Sequence, residues 1–265
     1  MDKRELQELQ EAAGGGNAMA NKQLVDYYLS IGENEMAFLA ASRFEYLLNP
    51  VGYRTLGNFY LKGLGVPADL EKAKKYFQKG FSSGDVDSGY NLAVILCREN
   101  KQSDAIAYLV SGVSQSHIPS IKLLANLYLN GKGVTKNEDI AINLLIKTIE
   151  LGDVDVSDKL ALLFYKQEKY IEAFKYFQIG VNAKNVDAIY HLGLCYAKGY
   201  GVKQDFVMAR QFYQMGANLK EARCLYNLAI YYRQGIGVDT NLEMADKLEK
   251  LAYECGFKKP EWKQK

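Results

Sequence analysis

The 265-residue sequence has few of the residues that chemistry usually needs. It holds two histidines, four cysteines and one tryptophan. No HExxH or SxxK motif occurs, which removes the usual metalloprotease and β-lactam-type serine arrangements. The cysteines, Cys97, Cys195, Cys224 and Cys255, form no CxxC and no regular spacing. That pattern predicts free thiols and an intracellular chain rather than a disulfide framework. Net charge is only +2, so there is no general electrostatic reason to bind nucleic acid or an anionic membrane. No run approaches the ~18 apolar residues of a membrane span. The opening "MDKRELQELQEAAGGG" is charged throughout and does not read as a secretory signal, so the expected location is cytoplasmic.

Proline is scarce as well, at four residues, which leaves long stretches free to be helical. Alanine, leucine, lysine and glutamate are abundant, and 48% of residues are apolar, enough for a folded core.

What the sequence does have is a repeat. Leucine followed by a short residue recurs at Leu24, Leu56, Leu92, Leu124, Leu160, Leu192 and Leu228, at alternating intervals of 32 and 36. An alanine follows each, at Ala37, Ala73, Ala105, Ala141, Ala173, Ala209 and Ala245. From alanine to the next leucine is always 19 residues; from leucine to alanine is either 13 or 17. Two rigid elements joined by a hinge of two permitted lengths satisfy this. Both elements carry apolar residues three and four apart, as in "TLGNFYL", "HLGLCYA" and "AFKYFQIG", which predicts helices.

The long hinges read "KGLGVPAD", "NGKGVTKN", "KGYGVKQD" and "QGIGVDTN". Taken alone, Gly131-Lys132-Gly133 suggests a phosphate loop. Such a loop needs a preceding strand and a GK[ST] ending, and neither is present. The expectation is instead a helix-ending glycine, a second glycine in a tight turn, and an N-cap at Asp69, Asn137, Asp205 and Asn241.

With these residues in view, the chain resembles the Sel1-like repeat family, relatives of the tetratricopeptide repeat. "YRTLGNFYLKGLGVPADLEKAKKYFQKGFSSG", Tyr53 to Gly84, follows the family pattern closely, and Tyr190 to Ala217 nearly as well. The short units beginning near Asn17, Asp87 and Asp155 are closer to tetratricopeptide spacing. The resemblance implies an all-α, right-handed α-solenoid of antiparallel helix pairs. Residues 1–16 would form a half-repeat cap, 17–256 seven repeats, and 257–265 a C-terminal cap or tail, with Trp262 covering the last pair.

The resemblance also implies a non-catalytic scaffold or adaptor that holds a protein or peptide on its concave face, without cofactor or metal. By tetratricopeptide analogy, positions two before and two after each leucine line that face. They include Arg54, Asn58, Tyr90, Lys122, Asn126, Tyr190, Leu194, Tyr226 and Ile230. Arg54/Asn58 and Lys122/Asn126 resemble a basic-plus-Asn carboxylate clamp, interrupted by Tyr90. Tyr190, Leu194, Tyr226 and Ile230 form either an apolar groove or part of the core. Two further readings stand beside this: an exported bacterial effector that binds a host protein, and a hydrolase such as a β-lactam-directed enzyme. The second lacks an SxxK motif and the paired cysteines of β-lactam-binding relatives. His191 and Cys195 lie four apart on one helix face and could offer two metal ligands, but a third is missing.

Overall fold

A computed structural model describes residues 2–43 and 50–258; Trp262 lies outside them. The described residues form fifteen α-helices and no strand. They divide into two compact units, residues 1–141 and 142–265, with the boundary inside one helix. The first unit contains α1 (Lys3–Gly14), α2 (Ala18–Ser30), α3 (Asn34–Ser42), α4 (Pro50–Lys62), α5 (Leu70–Ser82), α6 (Val86–Arg98), α7 (Gln102–Ser114) and α8 (Ile118–Asn130). Helix α9 (Glu138–Glu150) spans the boundary. A 3-10 turn at Val154–Val156 leads into α10 (Ser157–Lys166), α11 (Tyr170–Asn182), α12 (Val186–Lys198), α13 (Phe206–Asn218), α14 (Ala222–Gln234) and α15 (Leu242–Glu254).

Within each unit, helices pack in sequence order. α4 pairs with α5 and α6 with α7, while α5 also touches α6. In the second unit α10–α11, α12–α13 and α14–α15 pair in the same way. The repeating leucines are the reason. All seven are at most 4% exposed, and all seven alanines are fully buried. Each leucine removed from water contributes about 1.5–3 kcal/mol, and the alanines let the partner helix approach. The second helix of a pair meets the next first helix through small residues. A Cβ added at Gly216 would stand 2.3 Å from the Cys224 sulfur, so Cys224 is a buried spacer.

The long hinge has one construction in four copies. Asp69, Asn137, Asp205 and Asn241 each accept a backbone N–H of the helix they start, as expected of N-caps. Their own amides donate back to Tyr60, Tyr128, Tyr196 and Tyr232 carbonyls at 2.9–3.0 Å, which closes the loop onto the first helix. The first glycine is a left-handed helix end, as predicted: Gly199 has φ +73°. The second glycine does more than turn the chain. Gly201 also has positive φ, and a Cβ there would lie 2.0 Å from the Tyr170 carbonyl oxygen. The hinge therefore rests on the start of the preceding pair's second helix, and only glycine allows that approach.

At the N-terminus, Asp2 and Glu5 form a capping box, and Leu6 and Leu9 of α1 pack against the cluster holding Leu24 and Tyr28. Gln10 donates to the Tyr28 hydroxyl at 2.8 Å. All four cysteines are unpaired thiols. No helix of the described residues is long and apolar enough to cross a membrane.

Candidate functional site

At Arg54, Tyr90 and Tyr190 the position two before the leucine meets the start of the next first helix, and the residue there sets what that seam does. In the first unit Arg54 makes it an ion-paired seam. Arg54 on α4 pairs with Asp87 on α6 and, at 3.4 Å, with Asp85, the α6 N-cap. Asp87 in turn meets His117 Nε2 at 3.0 Å, and Ser120 meets its Nδ1 at 2.8 Å. Tyr90 lies edge-on to the same imidazole. Burial holds the His117 pKa below its ordinary value, ahead of the opposing pull of Asp85. The Arg54 guanidinium thus ties α4 to α6. Asn58 and Lys122 are half-buried; Asn126 is exposed, and its side-chain oxygen accepts from Asn130.

In the second unit the same position builds a cleft. Tyr190 from α12 and Tyr226 and Ile230 from α14 line one cavity of about 580 Å³. Its other walls are Glu221, Arg223 and Asn227 of the α14 start and Gly256, Phe257 and Lys258 after α15. Leu194 does not line it. The Arg223 guanidinium lies over the Tyr190 ring, 4.3 Å from its centroid, while Tyr226 stacks on Phe257 at 4.1 Å. All three predicted side chains are half-buried, so they belong neither to the sealed core nor to open surface. Burial raises the Tyr190 pKa, against the opposing Arg223 charge, so the phenol stays neutral.

Arg223 and Phe257 were not singled out by sequence. Arg223 stands five before Leu228, where Asp87 and Asp187 stand relative to their leucines, so the register contained a signal. Phe257 occupies the turn position at which the other pairs carry a polar helix cap such as Glu221 or Asn185.

His191 and Cys195 turn inward instead. The His191 ring stacks on Phe177 at 4.9 Å, and burial, helped by Arg223, lowers its pKa to about 4. Burial alone pushes the Cys195 thiol up to about 12. Neither a thiolate nor an accessible imidazole is offered there. Among the described residues, no three His, Cys, Asp or Glu side chains gather as metal ligands would.

Helix pairs in series, small residues at every seam and glycine hinges of fixed design define an α-solenoid repeat protein. The Sel1 repeat family model matches residues 51–85, 119–153, 186–220 and 222–257. Each match encloses one long glycine hinge, and together they cover more than half of the chain. The protein belongs to the Sel1 repeat family.

Solved structures agree on the fold. A protective antigen of uropathogenic Escherichia coli with an SLR fold aligns at TM-score 0.70 and 22% identity, over 94% of this chain. This chain spans 58% of that protein's length. A Sel1 repeat protein from Oxalobacter formigenes aligns at TM-score 0.63 and 23% identity, covering 91% of this chain and 98% of the other. The C-terminal part of a TPR repeat-containing protein from Cytophaga hutchinsonii follows at 0.60 and 16%, covering 88% and 95%. Sel1 repeats generally serve as protein-interaction scaffolds.

Proposed function

We propose that this protein is a non-catalytic interaction scaffold whose second unit holds a peptide segment of a partner in the cleft of Tyr190, Tyr226 and Ile230. The observation that carries the reading is that three side chains chosen by repeat register alone line one cavity. Half-buried aromatics with a polar rim are what interface hot spots require, because a partner can finish removing them from water. Seven helix pairs over 17–256, capped by 1–16 and 257–265, would present this surface. Four unpaired thiols fit a reducing compartment such as the cytoplasm. The hydrolase reading finds no support, since burial raises the Cys195 and Cys224 thiols and lowers the pKa of His191.

The test is a selection of 12-residue phage-displayed peptides on the full chain, followed by calorimetry of the strongest binder. Tyr190→Ala/Tyr226→Ala should weaken that binder by about 2 kcal/mol or more, roughly thirtyfold, with the circular dichroism spectrum unchanged. Unchanged affinity in the folded double variant refutes the cleft as the site.

A further inference from the structure

The turn after α15 is built like the turns inside the solenoid. The Phe257 amide donates to the Ala252 carbonyl at 2.9 Å. The same bond, over the same spacing, closes the turns at Asp85, His117, Asp153, Asn185 and Glu221, at 2.9–3.2 Å. Each of those turns delivers the chain to the next first helix. Gly256, at φ +93°, matches Gly84 at +95° and Gly152 at +93°. Phe257 and Lys258 are therefore aimed as the start of an eighth first helix, and both line the Tyr226 cleft. Such a helix would pack on the outer side of α14. The cleft continues along that side as a second cavity of about 620 Å³, which shares Tyr226 and Ile230 and extends to Arg233 and Glu249. Repeat register names the residue that would reach it. Tyr226 follows Tyr190 by 36 residues, and Trp262 follows Tyr226 by 36. Trp262 stands four residues beyond Lys258, a span of about 6 Å in a helix and at most about 14 Å extended, so the cleft is within its reach.

Resting on the reading of this cleft as a partner site, we infer that residues 259–265 of the same chain occupy it when no partner is bound, with Trp262 against Tyr226 and Ile230. An occupant tethered this closely competes at an effective concentration in roughly the millimolar range, which a free peptide must overcome. It brings a large aromatic side chain to bury, and Tyr226 and Ile230 are half-buried surfaces on which to bury it. The same register makes the hold reversible. Where the next marker leucine would fall the chain has Gln264, so the segment carries the groove-facing aromatic without the leucine that seals each complete pair. The cleft is thus capped by its own chain, and a partner binds by displacing the cap.

Trp262 is the only tryptophan, so its fluorescence reports on this segment in the full chain. The wild type should emit to the blue of free N-acetyltryptophanamide and resist acrylamide quenching, at every protein concentration. Tyr226→Ala should move both readings toward those of the free amide. A tryptophan-free peptide selected from the 12-residue library should do the same to the wild type on binding. That peptide should bind Trp262→Ala about tenfold tighter than the wild type, the gain from removing an occupant present about nine-tenths of the time. The last two readings use an intact cleft and decide the matter even if Tyr226→Ala unfolds. Emission equal to the free amide, or shielding that survives Tyr226→Ala, overturns the inference and leaves the peptide site standing. Shielding that grows with protein concentration assigns the occupant to a second copy and overturns it as well. Equal affinity of the peptide for wild type and Trp262→Ala overturns the competition. If Tyr226→Ala exposes Trp262 yet leaves the peptide's affinity unchanged, the peptide site itself fails, and this inference with it.

Discussion

Alanine at Gly201 adds one methyl group to the chain and two separate costs to the fold. The residue sits at φ +72°, where an L side chain costs roughly 1–2 kcal/mol. The new Cβ would also lie 2.0 Å from the Tyr170 carbonyl oxygen, 2.5 Å from its carbon and 2.9 Å from the Ile171 Cα. These are backbone atoms at the start of α11, so no side-chain rotation relieves the contact. Lifting the loop away adds about 1–3 kcal/mol, as other forced overpacking does. The sum is a loss of roughly 2–5 kcal/mol. Gly152→Ala is the matched control in the same unit: its φ is +93°, but a Cβ there meets nothing within 4 Å. That variant carries the strain without the collision and should lose only about 1–2 kcal/mol. Urea unfolding followed by far-UV circular dichroism reads both, and the two midpoints should differ by about 0.5–1 M at typical slopes. Equal losses in the two variants would mean that the hinge does not rest on α11, and the architectural account of the glycine loop would fall.

Two further outcomes follow from local geometry. Lys184 and Lys220 occupy left-handed turn positions at φ +62° and +60°, where the equivalent turns carry Gly84, Gly152 and Gly256. Lys184→Gly and Lys220→Gly should each stabilise by up to about 1 kcal/mol in the same unfolding assay; a loss would refute strain at these turns. His191 has a folded pKa of about 4, against 6.5 for an ordinary histidine. Above pH 6.5 it is neutral in both states and contributes no slope. Between 6.5 and 4 the unfolded chain takes up a proton that the folded chain refuses, so stability falls as pH falls, and the loss levels off below 4. The stability difference between wild type and His191→Phe should therefore shift against the wild type from pH 7 to pH 4.5. A pH-independent difference would place the imidazole in water.

The repeat was legible because its determinants are local and appear in several copies. Hinge lengths of 13 and 17, the leucine and alanine markers, and N-caps at Asp69, Asn137, Asp205 and Asn241 each depend on residues within one helix pair. Four sister loops outweighed the phosphate-like look of Gly131-Lys132-Gly133. Sequence also placed Tyr190, Tyr226 and Ile230 on one face, since helical register transfers between related repeats.

The contacts that give that face its character were not legible. Arg54 read as half of a carboxylate clamp for a partner, yet its carboxylates are Asp85 and Asp87 of the following first helix. Phe257 read as part of a tail, yet it stacks on Tyr226 and walls the cleft. Gly201 read as a turn former, and its contact with Tyr170 depends on where the previous helix pair lies. Sequence by itself determined the helices, their caps and the spacing of their hinges, because backbone preference and apolar period act over a few residues. Which charges are taken, which rings are left half-covered and where the cleft opens were decided only when consecutive pairs packed, because distance between side chains on different helices is set by that packing.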